Sequence, residues 1–220
     1  MWYDRFASTR GSDPLLALRW MWYRAAGPYL RGWWYRIWHF RHTSGPLFIG
    51  RGTSVWFPEK IRFGQWVFLG RHGLFNGLCK GGVTIGDRVT LAEGFWVQGT
   101  AHLSNPGDTL VIEDHVYIGP GAVIGFHGPV RIGTGTAIGA KLQISAQSHD
   151  LAVMDGISTA TIPSVGIKIG RHCWIGNDVK ILDGVEIGDH AVIGAGSVVT
   201  RSVPARSVAH GVPCRVVRSR

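Results

Sequence analysis

Cysteine is scarce in this chain of 220 residues, with only Cys79, Cys173 and Cys214. Three scattered thiols make neither a disulfide framework nor a metal-binding cluster, so a reducing cytosol is the simplest setting. Acidic residues are also few, 14 against 23 lysines and arginines, and the formal net charge is +9, mostly from arginine. That balance points to anionic partners: nucleic acid, a membrane surface or a phosphate-bearing ligand. No uninterrupted apolar run is long enough to span a bilayer, and no signal-peptide cleavage pattern is visible. The 32 glycines carry no collagen period, so they belong to some other repeat.

Residues 1–45 differ in composition from the rest. The run PLLALRWMWYRAAGPYLRGWWYRIWHFRH interleaves aromatic rings with Arg19, Arg24, Arg31, Arg36 and Arg41. The arginines come too often for a transmembrane span. Proline cannot continue the helix that precedes it, so Gly27-Pro28 predicts two short helices. Tryptophan and arginine together suit a membrane–water interface, where the ring is half buried and the guanidinium meets lipid phosphate. The competing expectation is that these helices pack on the main domain or between subunits. No DNA- or RNA-binding motif accompanies the charge, so no nucleic-acid partner is expected.

Residues 46–220 are a repeat. Ile85, Leu91 and Val97 stand six apart, as do Ile112, Ile118 and Ile124, and Ile132, Ile138 and Ile144. Ile169, Ile175 and Ile181 continue the series, followed by Ile187, Ile193 and Val199, while Phe63, Leu69 and Phe75 form a bulkier early set. Glycine often follows the aliphatic residue, and the fifth position of the hexad is small or β-branched, as at Val116, Thr136 and Ser197. The fifth position and the next first position are two apart, so both face one side of a short strand. Six residues thus make one flat side and its corner, and three sides close a coil of about eighteen residues stacked about 4.8 Å from the next. The fold class is all-β: a parallel β-helix of triangular section, preceded by a helical segment.

The hexads resemble those of the hexapeptide-repeat acyltransferases, whose β-helix is left-handed, although general crossover sterics favour the opposite hand. Over residues 82–217 the blocks WIG, GAGSVVT and GVPCR are similar to the galactoside, maltose and xenobiotic O-acetyltransferase branch. The N-terminal segment looks more like the membrane-proximal leader of acetyltransferases from surface-polysaccharide gene clusters. The resemblance implies a homotrimer with active sites between subunits, acetyl-CoA as co-substrate, no metal, and a sugar or glycan hydroxyl as acceptor. It implies a cytoplasmic protein, with residues 1–42 able to touch the inner face of the membrane.

The rhythm of six stops between residues 145 and 168. A loop that long on a rigid scaffold is where chemistry collects. In the family that this chain resembles, a histidine at the start of such a loop takes the proton from the acceptor hydroxyl. His149, ahead of the WIG block, matches it. An imidazole with a pKa of about 6.5 can accept that proton while staying largely neutral at pH 7. Asp150 is a candidate to orient it.

The donor site carries over position by position. Trp174 matches the aromatic residue of the cleft. Asn177 stands where serine is common, its main-chain N–H matching the thioester contact. Ala195 matches the position whose backbone meets the pantetheine amides. Thr200 and Arg201 match a Thr-Lys pair near the nucleotide, and Arg215 matches a phosphate-binding arginine. The acceptor-pocket asparagine of the branch has no evident counterpart here, and Gln98, Gln143 and Gln147 are polar candidates.

The other histidines are expected in other roles. His115, His127, His172 and His190 each fall three residues after an aliphatic hexad position, which predicts exposed corners. No two histidines have the five-residue spacing that the zinc site of a γ-type carbonic anhydrase on this fold requires. The competing readings are a non-catalytic hexapeptide-repeat scaffold and an acetyltransferase for an amino acid or an antibiotic.

Overall fold

The computed structural model describes residues 26–38, 43–99, 106–147 and 164–220. Short strands of two to seven residues follow one another around three parallel sheets, of nine, seven and six strands. From Leu47 to Val199 the chain visits them in strict rotation, so each strand there pairs in parallel with the strand one coil away. This is a left-handed parallel β-helix of hexapeptide repeats, as the spacing and the resemblance together anticipate.

The periodicity maps directly onto the interior. Ile112, Ile118, Ile124, Ile132, Ile175, Ile181, Ile187 and Ile193 are completely buried, and the fifth positions Val116, Thr136, Val179 and Ser197 sit between them. Each large aliphatic side chain removed from water contributes about 1.5–3 kcal/mol, so the column itself supplies the drive to coil. The earlier coils carry wider residues. Phe63, Phe75 and Phe95 pack edge to face with ring centroids 6.1 and 6.2 Å apart. The repeat also begins one coil earlier than the bulky set suggests. Ile49, Val55 and Ile61 are six apart and buried, a signal present in the sequence.

Two expectations need correction. Pairings such as Trp174↔Val192 give coils of 18 residues, but Tyr117↔Ala137 gives 20. The extra pair lies at the corner between the seven- and six-stranded sheets, where the buried Ile124 and Ile132 stand eight apart while Ile181 and Ile187 stand six apart. There is also a second interruption. The chain leaves the seven-stranded sheet at Gln98 and rejoins the six-stranded sheet at Gly107, between the same two sheets that it leaves at Ser145 and rejoins at Ile167 two coils later.

Both ends of the stack are covered. The helix Gly27–Trp38 lies against the first strand, Leu47–Ile49. Arg31 Nε donates to the Ile49 carbonyl at 2.8 Å, and a Cβ on Gly32 would stand only 1.8 Å from the Leu47 carbonyl oxygen. Glycine at 32 therefore lets the helix backbone close on carbonyls that a coil end would leave unpaired. At the other end, Arg215–Ser219 turns back antiparallel on Ser207–His210. The earlier of the two expected N-terminal helices falls outside the described residues.

Candidate active site

Trp174 stands on the outer face of the nine-stranded sheet, between Ala137 and Val192. Its small neighbours leave the indole 55% exposed. The chain then turns at Gly176 into the corner shared by the nine- and seven-stranded sheets. Asn177 and Ala195 occupy equivalent places there on successive coils, linked by Gly196 N–H donating to the Asn177 carbonyl at 2.8 Å. A Cβ at Gly176 would approach Ala195 N to 2.5 Å, so only glycine allows the two turns to nest.

Side-chain oxygens cap main-chain donors at many corners. Asp189 Oδ1 accepts Arg171 N–H, Asp114 Oδ1 accepts Asp87 N–H, and Asn177 Oδ1 accepts Ala140 N–H, each at 2.8 Å. The two aspartate caps lie at the corner between the six- and nine-stranded sheets; at the corner of Asn177 the next coil offers only the methyl group of Ala195. Among the described residues the main-chain N–H groups of Asn177 and Ala195 donate to nothing, and both residues are exposed. The result is a pair of outward main-chain donors beside an uncovered indole.

Arg215 belongs to the same edge. Its strand pairs with His210, whose Cβ lies 2.7 Å from where a Cβ on Gly194 would be. Arg215 is exposed, and its Nη1 donates to the Cys214 carbonyl at 2.9 Å. Thr200 and Arg201 are elsewhere. They follow the last strand of the seven-stranded sheet, Val198–Val199, and lie at its far edge. Within one chain, then, Trp174, Asn177, Ala195 and Arg215 come together, and Thr200 and Arg201 are set apart. Arg201, Arg206, Arg215, Arg218 and Arg220 are all exposed at this C-terminal end of the stack.

His149 and Asp150 lie outside the described residues. Of the polar candidates for the acceptor, Gln98 and Gln143 both face outward on the seven-stranded sheet, and Gln98 Oε1 accepts the Trp96 indole N–H at 2.9 Å. Gln147 stands at the start of the long excursion. The corner histidines behave as turn residues: His115, His172 and His190 have left-handed backbones, and the rings of the last two stack 5.3 Å apart. His115 and His172 are exposed as expected, whereas His190 is half-buried, as is His127 at another corner. No group of three metal-ligating side chains occurs among the described residues.

The coil and its repeat place the protein in a class, the hexapeptide-repeat β-helices. Residues 166–201 match the family described as bacterial transferase hexapeptide (six repeats). It is 36% identical over 130 residues to galactoside O-acetyltransferase of Escherichia coli (strain K12), covering 59% of this chain and 63% of that protein. It is 36% identical over 111 residues to a candidate colanic acid biosynthesis acetyltransferase, WcaF, of the same organism, covering 50% and 59%. The chain thus spans about three fifths of the length of these curated relatives. AntD, an N-acyltransferase from Bacillus cereus solved with dTDP and 3-hydroxybutyryl-CoA, superposes with a TM-score of 0.59 at 17% identity, over 83% of this chain and 84% of that one. At that identity the likeness is one of fold.

Proposed function

We propose that this protein is an acetyl-CoA-dependent O-acetyltransferase acting on a sugar or glycan hydroxyl. The observation that carries this reading is the pair of unpartnered main-chain donors at Asn177 and Ala195 beside Trp174. A thioester carbonyl becomes an oxyanion when an alcohol adds to it, and a fixed N–H aimed at that oxygen stabilises the transition state. Asn177 N–H takes this role, and Ala195 N–H receives a pantetheine carbonyl. The arginines of the C-terminal end supply positive potential for the nucleotide phosphates.

In this reading His149 accepts the acceptor's hydroxyl proton as the oxygen attacks the acetyl carbon. The tetrahedral intermediate collapses with cleavage of the C–S bond. The departing thiolate takes the proton back from the imidazolium, giving an acetyl ester and free coenzyme A.

The assembly that fits is a homotrimer in the cytoplasm. The outer ladders of the nine- and seven-stranded sheets expose Tyr117, Trp174, Trp96 and Val123, whereas the six-stranded sheet exposes Arg62, Arg131, Lys168 and Glu186. Packing the two apolar faces against neighbouring copies would bring the separate edges holding Asn177 and Arg201 to one intersubunit cleft. Surface-polysaccharide synthesis is the setting that the relatives support.

Thermal unfolding with and without acetyl-CoA tests the donor site. Ligand at about a hundred times its dissociation constant stabilises by about 2.7 kcal/mol, a clear upward shift, which Arg215→Ala diminishes. A thiol-release assay over a sugar panel then tests transfer, with His149→Ala abolishing turnover while the assembly stays intact. No thermal shift, or full turnover by His149→Ala, overturns the corresponding part.

A further inference from the structure

The helix Gly27–Trp38 is turned the wrong way round for a helix that serves a protein core. An amphipathic helix usually buries its apolar stripe and shows its polar face to water. Here the buried residues are Pro28 and Gly32, with Arg31 and Tyr35 half-buried beside them. Leu30, Trp33, Trp34, Ile37 and Trp38 are 51–65% exposed. They fall at i, i+3, i+4, i+7 and i+8, which is one continuous stripe at about 3.6 residues per turn, on the side opposite Gly32.

Other features surround this stripe. Trp56, Phe57 and Trp66, all exposed, belong to the first two coils, so the aromatic surface continues around the helix-bearing end. The charge is one-sided. Between Asp13 and Glu59 there is no acidic residue, while Arg19, Arg24, Arg31, Arg36, Arg41 and Arg51 fall in that interval. Arg51 is close enough to Arg31 to help, after burial, to lower its pKa. A protein partner for an apolar stripe would be matched by shape. Tryptophans flanked mainly by cations match an anionic lipid surface, where rings settle at the headgroup level and guanidinium groups meet phosphate.

We propose that the Leu30–Trp38 stripe seats the protein on the surface of an anionic bilayer, with the β-helix standing end-on. The stripe faces away from the first coil, so the stack rises from the membrane and its arginine-rich C-terminal end points away. Among the described residues no helix is long and apolar enough to cross a membrane, so the helix lies in the interface. This inference is independent of the acyl-transfer reading, because seating on lipid requires neither donor nor acceptor.

The test is co-sedimentation of the full chain with vesicles of phosphatidylcholine containing phosphatidylglycerol, and with phosphatidylcholine alone. The native chain partitions onto the anionic vesicles, and added salt weakens it. Trp33→Ser/Trp34→Ser/Trp38→Ser lowers the partition coefficient at least about tenfold, since interfacial binding scales with the apolar area buried. Arg36→Glu lowers it on anionic vesicles. Circular dichroism and the melting temperature verify that both variants are folded. Absence of partition by the native chain, or equal partition by the triple variant, overturns the proposal. So does a native assembly that light scattering shows larger than that of the triple variant without vesicle binding, which would make the stripe a contact between copies. A thiol-release assay without vesicles reads acyl transfer separately, so failure of one does not mimic failure of the other.

Discussion

Asn177 accepts the Ala140 main-chain N–H through its side chain at 2.8 Å, while its own main-chain N–H has no acceptor among the described residues. One residue therefore closes the corner of the coil before it and opens its own. What opens it is the methyl side chain of Ala195 one coil later. Ala195→Asn should place an amide oxygen where Asn177 holds its own, and so cap the Asn177 N–H. If that N–H stabilises the oxyanion, turnover falls by about 10²- to 10³-fold with the melting temperature kept or raised. Steady-state thiol release with calorimetry checks both, and unchanged turnover removes Asn177 N–H from the mechanism.

Thr136 is a second corner device. Its hydroxyl donates to the Gly170 carbonyl at 2.8 Å and accepts Cys173 N–H at 3.1 Å, in a fully buried position. Ser197 repeats the motif with Gly194 and Gly211. Thr136→Val keeps the shape but leaves a buried N–H unsatisfied, which costs about 1–3 kcal/mol. Chemical denaturation should show this as a lower midpoint with an unchanged slope. Acetyl-CoA binding should survive, because Thr136 lies at a different corner from Asn177.

Glu113 gives the stack an acid-sensitive joint. Burial pushes its carboxyl up, but the Thr134 hydroxyl and N–H, at 2.7 and 2.9 Å, together with Arg131 outweigh that and hold the pKa below the usual carboxylate value. A depressed pKa contributes stability above the unfolded value of about 4.3 and loses it as pH falls through the folded one. Glu113→Gln should therefore be less stable than the native chain at neutral pH and converge with it in acid. Urea midpoints measured down to about pH 3 decide this. A gap that persists in acid assigns the effect to packing.

The three thiols titrate in the opposite sense. Burial raises the pKa of Cys79, Cys173 and Cys214 above the ordinary thiol value. A raised pKa contributes stability below the unfolded value of about 8.5, lost as pH rises through the folded one. All three should react slowly with a disulfide reagent at mildly alkaline pH and rapidly once the chain is unfolded. Fast reaction of any thiol in the native protein would show that its corner opens locally.

The interior was legible because each hexad makes a local statement that the next one repeats. Ile112, Ile118 and Ile124 announce three sides of one coil, and all three are buried. The coil of Ile49, Val55 and Ile61 was equally legible and was obscured only because its neighbours carry phenylalanines. The excursion at 99–106 was harder to read. Val97 and Ile112 are fifteen apart, a gap that is no multiple of six. At the site, Trp174 and the two main-chain donors could be placed by block resemblance. That Asn177 would be free depended on the side chain one coil away, and a linear reading does not pair residue 177 with residue 195. The reversed face of the helix was illegible for a related reason. Periodicity finds the stripe but not the side on which it packs, and the close approach of Gly32 to Leu47 decides that.

Both excursions leave from one corner, between the seven- and six-stranded sheets, two coils apart, with the short turn 126–129 between them. Hydrogen bonds in this stack run from coil to coil, so a strand needs only to re-enter opposite its neighbour. The length of chain spent before re-entry leaves the register unchanged. The corner is therefore a row of sockets along a fixed spine. Whatever chain is plugged into them can be lengthened, shortened or exchanged without disturbing the edge that carries Asn177 and Ala195.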